Sequence, residues 1–295
     1  MNIQNIINKY QLHGRPSLDR WESRFFSRVS KIYHDATNDN LNDSKPNSVF
    51  SCVTSDDYGN LCSEKGDMFC GLHLKQWGES DEEYKNKIID NLDKILKKVR
   101  CYSLSTNISD LRKYKKVLFS RQWDKISDYF AISKNKKNEL EYRHKIFWII
   151  DGKNNKRSVS ITENNLLSVL AKIELFGFCF KSIEDIYSSN GNILLGAIIN
   201  DDLHSGDARL PDAYQRKCNT ILNALCESMY GGRLLCLNTE AKTYYNGQFL
   251  ADNLCGMLNL ANTNKYLIKI INEKNHNKNL YFSNLENLLK SYKTA

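Results

Sequence analysis

The sequence predicts an α/β domain, a mixed sheet flanked by helices, with a helical N-terminal arm in front of it. Three observations predict it. Short β-branched and aromatic runs, such as Val49-Phe50-Ser51-Cys52-Val53-Thr54, are bounded by turn residues. They are mixed along the chain with longer segments whose apolar residues recur every three or four positions, which is the pattern of helices packed on a sheet. The chain has 295 residues, 41% hydrophobic and 26% charged, enough for one large core or two small ones in an ordinary globular protein.

In chain order, a helix is predicted from Ser17 to Asp35. Pro16 precedes it, Ser17 can cap it, and Trp21, Phe25, Val29, Ile32 and Tyr33 recur at helical spacing. The stretch Thr37 to Ser48 is rich in Asn and Asp and reads as a linker. Residues 1–47 thus form the arm and 48–295 the main domain. Strands follow at Ser48–Thr54 and Asp67–Leu74, with turn chemistry at Gly59-Asn60 and Lys65-Gly66 between them. Ser80-Asp81-Glu82-Glu83 is a capping box that opens a helix to Arg100. Cys101–Ser105 reads as a strand and Ser109–Phe130 as a helix.

Glu141–Ile150 and Arg157–Ile161 form a predicted hairpin around Asp151-Gly152. A helix is predicted over Glu163–Phe176 and strands over Phe178–Ile183 and Ile193–Asn200. Pro211 starts a helix to Met229, Gly231-Gly232 releases a strand at Arg233–Leu237, and a further helix opens at Gln248. Two short helices close the chain, the last capped by Ser283-Asn284-Leu285-Glu286.

The net charge of +8 suits a polyanionic partner, although many basic residues share helices with acids and read as solvated faces. No apolar run approaches the ~20 residues that cross a bilayer, and Met1-Asn2-Ile3-Gln4-Asn5 lacks a signal-peptide layout. A cytoplasmic protein with no membrane partner is expected. Most of the nine cysteines lie in apolar runs and read as small buried hydrophobes in a reducing compartment. Cys62, Cys70 and His73 have a spacing that suits zinc, while Cys52 and Cys70 also fall on strand-like segments where they would be core.

Four places supply acids after apolar strands or on a helix start: Asp56-Asp57, Asp201-Asp202, Glu240 and Asp252. Carboxylates gathered at one spot suit Mg²⁺ or Mn²⁺, which prefer hard oxygen ligands and promote phosphodiester hydrolysis. Asp252, beside Phe249, Leu250, Ala251 and Leu254, falls three residues from Phe249 on a face expected to be buried, where a carboxylate needs a metal, a partner or a cap. The plainer alternative is that these acids are turn residues and that Asp252 pairs with Lys242 or a backbone amide.

Asp56-Asp57-Tyr58-Gly59-Asn60 resembles the Asp-Glu-Ser-Gly opening of a large family of RNase H-like proteins often encoded on phages and mobile elements. That family continues with an apolar strand containing glycine, here Met68-Phe69-Cys70-Gly71-Leu72. Near its end it has Asp-Ser-Lys, then Gln-x-Leu-Ala-Asp and a glycine. Glu240-Ala241-Lys242, Gln248-Phe249-Leu250-Ala251-Asp252 and Gly256 stand in those places. Tyr58 replaces the family's Ser, and Glu240-Ala241 replaces Asp-Ser.

The resemblance implies an RNase H-like fold and a nuclease that acts on DNA or RNA with Mg²⁺ or Mn²⁺. It implies Asp56, Asp201 or Asp202, and Asp252 as metal ligands, and Glu240 or Asp57 as a further ligand or outer base. Lys242 would contact the scissile phosphate, and His204 would protonate the leaving group. The alternative class is a catalytically inactive interaction protein or toxin-like effector, for which the sixteen tyrosines and the basic helices supply an interface.

Overall fold

The computed structural model describes residues 29–38, 41, 43–55, 68–69, 72–73, 80–125, 127, 130–134, 140–150, 156–187, 195–202, 233–240 and 246–291. Its elements begin with β1 (Val29–Ala36), β2 (Asn47–Thr54), the short β3 (Met68–Phe69) and β4 (Leu72–His73), α1 (Asp81–Asp90) and α2 (Leu92–Leu96). They continue with β5 (Arg100–Asn107), α3 (Ile108–Lys113), α4 (Lys115–Arg121), a 3-10 turn (Trp123–Lys125), β6 (Phe130–Lys134), β7 (Leu140–Ile150), β8 (Lys156–Thr162) and α5 (Glu163–Tyr187). The last part contains β9 (Leu195–Asp202), β10 (Leu234–Glu240), α6 (Asn246–Ala261), α7 (Lys265–Lys274), β11 (Leu280–Asn284) and α8 (Leu285–Ser291).

The protein is a mixed α/β structure. Its main sheet has the order β10-β9-β1-β2-β5-β11, and β6-β7-β8 form a separate small antiparallel sheet. β2 runs antiparallel to both β1 and β5, while β9 lies parallel to β1, β10 to β9, and β11 to β5. Helices cover both faces. On one face Ile32, Phe50, Cys52 and Leu104 pack with Leu170, Phe176 and Phe180 of α5 and Leu288 of α8. On the other, Tyr33, Val49, Val53 and Cys101 pack with Ile88, Leu92, Leu254 and Leu258 from α1, α2 and α6.

The helix predicted to end at Asp35 is replaced over Val29–Ala36 by the strand β1, while Trp21 and Phe25 lie outside the described residues. The reason is burial. Ser30, Lys31, Ile32, Tyr33 and His34 are all 5% exposed or less, so both faces of the strand are covered. A strand covered on both faces loses the alternation that marks a strand in sequence. The polar stretch 37–46 therefore connects two paired strands. It is closed by the Thr37 amide donating to Val49 O at 3.0 Å and the Asn38 side chain donating to Lys45 O at 2.9 Å.

The segment Phe178–Ile183 is not a strand but the continuation of α5. Leu166, Leu170, Ile173, Phe176, Phe180 and Ile183 are buried at helical spacing, and so are most residues between them. A helix covered nearly all round has little amphipathic signal to extend. Within it the buried Glu174 accepts from the Nε of Arg121 at 3.0 Å and from the Gln122 amide, which ties α5 to α4.

The capping box at Ser80 forms as predicted. The Glu83 amide donates to Ser80 Oγ at 3.2 Å, and Glu83 Oε2 accepts from the Ser80 amide at 2.9 Å. The helix it opens is divided at Asn91, and Arg100 already belongs to β5. The helix predicted over 109–130 is likewise divided into α3, α4 and the 3-10 turn, with Phe130 opening β6. The hairpin β7–β8 pairs Ile150 with Lys156, and its turn, with Asp151-Gly152, lies outside the described residues, as does the helix predicted over 211–229. Strand β11 has no counterpart in the sequence reading. Asn284, not Ser283, caps α8, its Oδ1 accepting from the Asn287 amide at 2.9 Å. Among the described residues no helix is long and apolar enough to cross a membrane.

Gly196 lies where β9 meets β10 and α5. A Cβ there would come 2.7 Å from Phe180 and 2.9 Å from Leu234, both in the core. Gly196→Ala is expected to destabilise the protein by about 1–3 kcal/mol through overpacking. Urea unfolding of the variant beside wild type measures this, and an unchanged midpoint would refute the packing described.

Candidate functional site at the carboxyl edge of the parallel strands

Because β1, β9 and β10 are parallel, all three end at one edge of the sheet. The pairing of β1 with β9 reaches His34 opposite Asn200. The next residue of each strand is an acid, Asp35 on β1 and Asp201 on β9. In the next pair of strands Asp201 is opposite Thr239, and Asp202 is opposite Glu240. The register thus gathers Asp35, Asp201, Asp202 and Glu240 at the ends of three adjacent strands. The side chains of Asp201, Asp202 and Glu240 lie outside the described residues.

Helix α6 is fastened to this edge by side chains that reach strand backbone. The Gln248 Nε2 donates to His34 O at 2.6 Å, and the Cys255 thiol donates to Val49 O at 2.6 Å. The same sulphur lies 3.5 Å from Asp35 O. At the start of the helix Gly247 rests on the Tyr33 ring, so closely that a Cβ would fall 2.2 Å from it. Asp252 lies between the two gripping positions, Gln248 and Cys255, along the helix.

Burial pushes the Cys255 thiol well above its ordinary range, and the charges of Asp35 and then Asp252 push it the same way, against hydrogen bonds with Ser51 and the Thr37 backbone. One sulphur therefore lies within electrostatic reach of both carboxylates. Asp35 is itself oriented by the Ala36 amide, which donates to its Oδ1 at 2.7 Å. Asp252 is exposed. The buried side of α6 is formed by Leu250, Ala251, Leu254, Cys255 and Leu258, which corrects the expectation that Asp252 shares the buried face.

The other residues singled out in the sequence fall as follows. Asp56, Asp57, Lys242, His204, Cys62 and Cys70 lie outside the described residues, and of His73 only the backbone is described. The strand leading to Asp56 is antiparallel to β1, and Thr54 Oγ1 donates to Lys31 O at 2.9 Å. By the register Thr54 falls opposite Ile32, three positions before Asp35, roughly 10 Å along the strand from it. The strand end beside Asp201 belongs to Asp35, which the sequence reading had placed at the end of a helix. The signal was present: Asp35-Ala36-Thr37 follows the apolar pair Ile32-Tyr33 with only His34 between, a strand-then-acid pattern like that at Asp56. Among the described residues, no group of three or more His, Cys, Asp or Glu side chains is placed to hold a metal.

Two outcomes are expected from this geometry. Gln248→Met removes the buried donor to His34 O and leaves that carbonyl without it, so a loss of about 1–3 kcal/mol is expected in denaturant unfolding. A loss below about 0.5 kcal/mol, the scale of ordinary surface changes, would show that the bond does not hold α6. Cys52, Cys101, Cys179 and Cys255 are buried and in the thiol form. Burial raises Cys101 to about 12, so at pH 8 on the order of one molecule in ten thousand carries that thiolate. Iodoacetamide followed by peptide mass mapping should leave all four unmodified in the native protein and label them in denaturant. Rapid native labelling of Cys101 or Cys255 would contradict the packing.

No protein-family model, curated protein or solved structure matches the chain.

Proposed function

We propose that the chain is an RNase H-like nuclease that hydrolyses phosphodiester bonds in DNA or RNA with Mg²⁺ or Mn²⁺ held by clustered carboxylates. The observation that supports this reading is the parallel register of β1 and β9, which runs to His34 and Asn200, one residue before Asp35 and Asp201, with α6, the helix that bears Asp252, bonded to His34 O. The strand order fits an RNase H-like sheet: β1 is internal, with antiparallel β2 and then β5 on one side and parallel β9 and β10 on the other. Asp35-Ala36-Thr37 takes over the role first given to Asp56-Asp57-Tyr58. Its Thr stands where the family has Ser, a closer substitute than Tyr58.

In this reading Asp35, Asp201 and Asp252 hold the ion or ions, and Glu240, beside Asp202 on β10, adds a ligand or an outer base. The donor set fits: carboxylate oxygens suit Mg²⁺ and Mn²⁺, and only one or two per ion are needed. When bound, the ion supplies Lewis acidity toward a phosphate oxygen and stabilises the charge on the leaving oxygen. The protein's share is rigidity. The Ala36 amide fixes the Asp35 carboxylate, and the Gln248 and Cys255 contacts fix the distance of α6 from the strand ends. Strand ends hold such groups more firmly than loops do.

The test is cleavage of single- and double-stranded DNA and RNA with Mg²⁺ or Mn²⁺, using wild type, Asp35→Asn, Asp201→Asn, Asp252→Asn and Asp56→Asn. The first three variants are expected to lose activity about a hundredfold or more, the scale on which a single electrostatic stabiliser acts. Asp56→Asn is expected to keep it. Equal loss in Asp56→Asn and none in Asp35→Asn would return the strand-end role to Asp56. Folded wild type that neither cleaves nor binds Mn²⁺ would assign the protein to the interaction class instead.

A further inference from the structure

We infer that Lys85 of α1 is a phosphate-contacting residue that receives the nucleic-acid backbone at this site, an inference that rests on the nuclease reading. The solvent side of α6 is a narrow stripe, with Asp252 exposed and Gly256, one turn later, half-buried. Lys85 lies across that stripe. A Cβ at Gly256 would come 2.9 Å from Lys85 Cε and 3.4 Å from its Nζ. The glycine therefore leaves a seat into which the lysine stem fits, and the ammonium rests one helical turn from Asp252 on the face through which a ligand reaches that carboxylate.

The packing of Lys85 favours this role: the side chain is half-buried, so the cation is held in place by what it packs against. A lysine so placed acts as a compact point charge, which suits a phosphodiester group whose orientation the bound ions would fix. Lys242, the cation the sequence suggested for the scissile phosphate, remains compatible with this: Lys85 would contact a flanking phosphate along the strand, on the α1 side.

The experiment measures oligonucleotide affinity by fluorescence anisotropy across a salt series, with Ca²⁺ replacing Mg²⁺ to prevent turnover, and Mn²⁺ affinity by calorimetry on the same preparations. Removing one phosphate contact from a single strand lowers the magnitude of the salt slope by about 0.7. Lys85→Ala should show that change with Mn²⁺ affinity retained, and Lys85→Arg should keep the wild-type slope. Gly256→Ala, which displaces the ammonium, should weaken oligonucleotide binding and leave Mn²⁺ binding intact. Lys269→Ala, at an exposed ion pair on α7, is the control and should leave the slope as it is. An unchanged slope in Lys85→Ala, or Mn²⁺ binding without oligonucleotide binding in wild type, overturns the inference and leaves the metal site standing. Wild type that binds no Mn²⁺ overturns the nuclease reading, and the inference with it.

Discussion

The candidate site depends on how α6 is held against β1. A carboxylate on a helix serves a site built on strand ends only if the helix keeps its height and rotation relative to the sheet. Hydrophobic packing of Leu250, Leu254 and Leu258 supplies attraction but little direction. Direction comes from two hydrogen bonds to strand carbonyls, Gln248 to His34 O and Cys255 to Val49 O. It also comes from the steric stop of the Tyr33 ring under Gly247. These contacts touch both β1 and β2, so the helix is referenced to two strands and resists rotation about either contact alone.

The same constraint explains why β1 is so unusual in composition. It carries Ser30, Lys31 and His34 into the interior, each 5% exposed or less. Buried polar groups stabilise nothing unless they are satisfied, and a plain core strand would be apolar on both faces. Here the faces have different tasks. His34 meets the Phe176 ring edge-on at 4.8 Å on the α5 side, while its backbone carbonyl serves Gln248. Tyr33 and Asp35 alternate with it: the Tyr33 ring lies under Gly247, and the Asp35 charge reaches Cys255. One strand thus anchors the α5 core through its even-numbered residues and the α6 edge through its odd-numbered ones.

This double duty sets what could be read from the sequence. Elements with one buried face were legible. The Ser80 capping box, β2, the β7–β8 hairpin and the start of α6 all fall where patterning and turn chemistry place them. Elements buried all round were not. β1 reads as the end of a helix because Val29, Ile32 and Tyr33 fit a helical period as well as a strand. The end of α5 was taken for a strand because a helix covered on every side has no polar stripe. The strand β11 was missed because Leu280-Tyr281-Phe282 is short and flanks a cap that carries a stronger signal.

The reading of Val29–Ala36 as a helix end also leaves Asp35 out of the candidate site. The acids Asp201, Glu240 and Asp252 stand out in the sequence after apolar runs or on a helix start. Asp35 does not, because a residue at a helix end and a residue at a strand end are told apart only by which neighbours the backbone acquires. Register is a property of two chain segments together, and no single segment contains it. Strand direction then bears on which acid the proposed site would take with Asp201. The antiparallel β2 ends at Thr54 away from the parallel edge, whereas the parallel β1 ends at that edge. In the proposed reading the preference for Asp35 over Asp56 rests on that direction and not on the local motif, which favours Asp56.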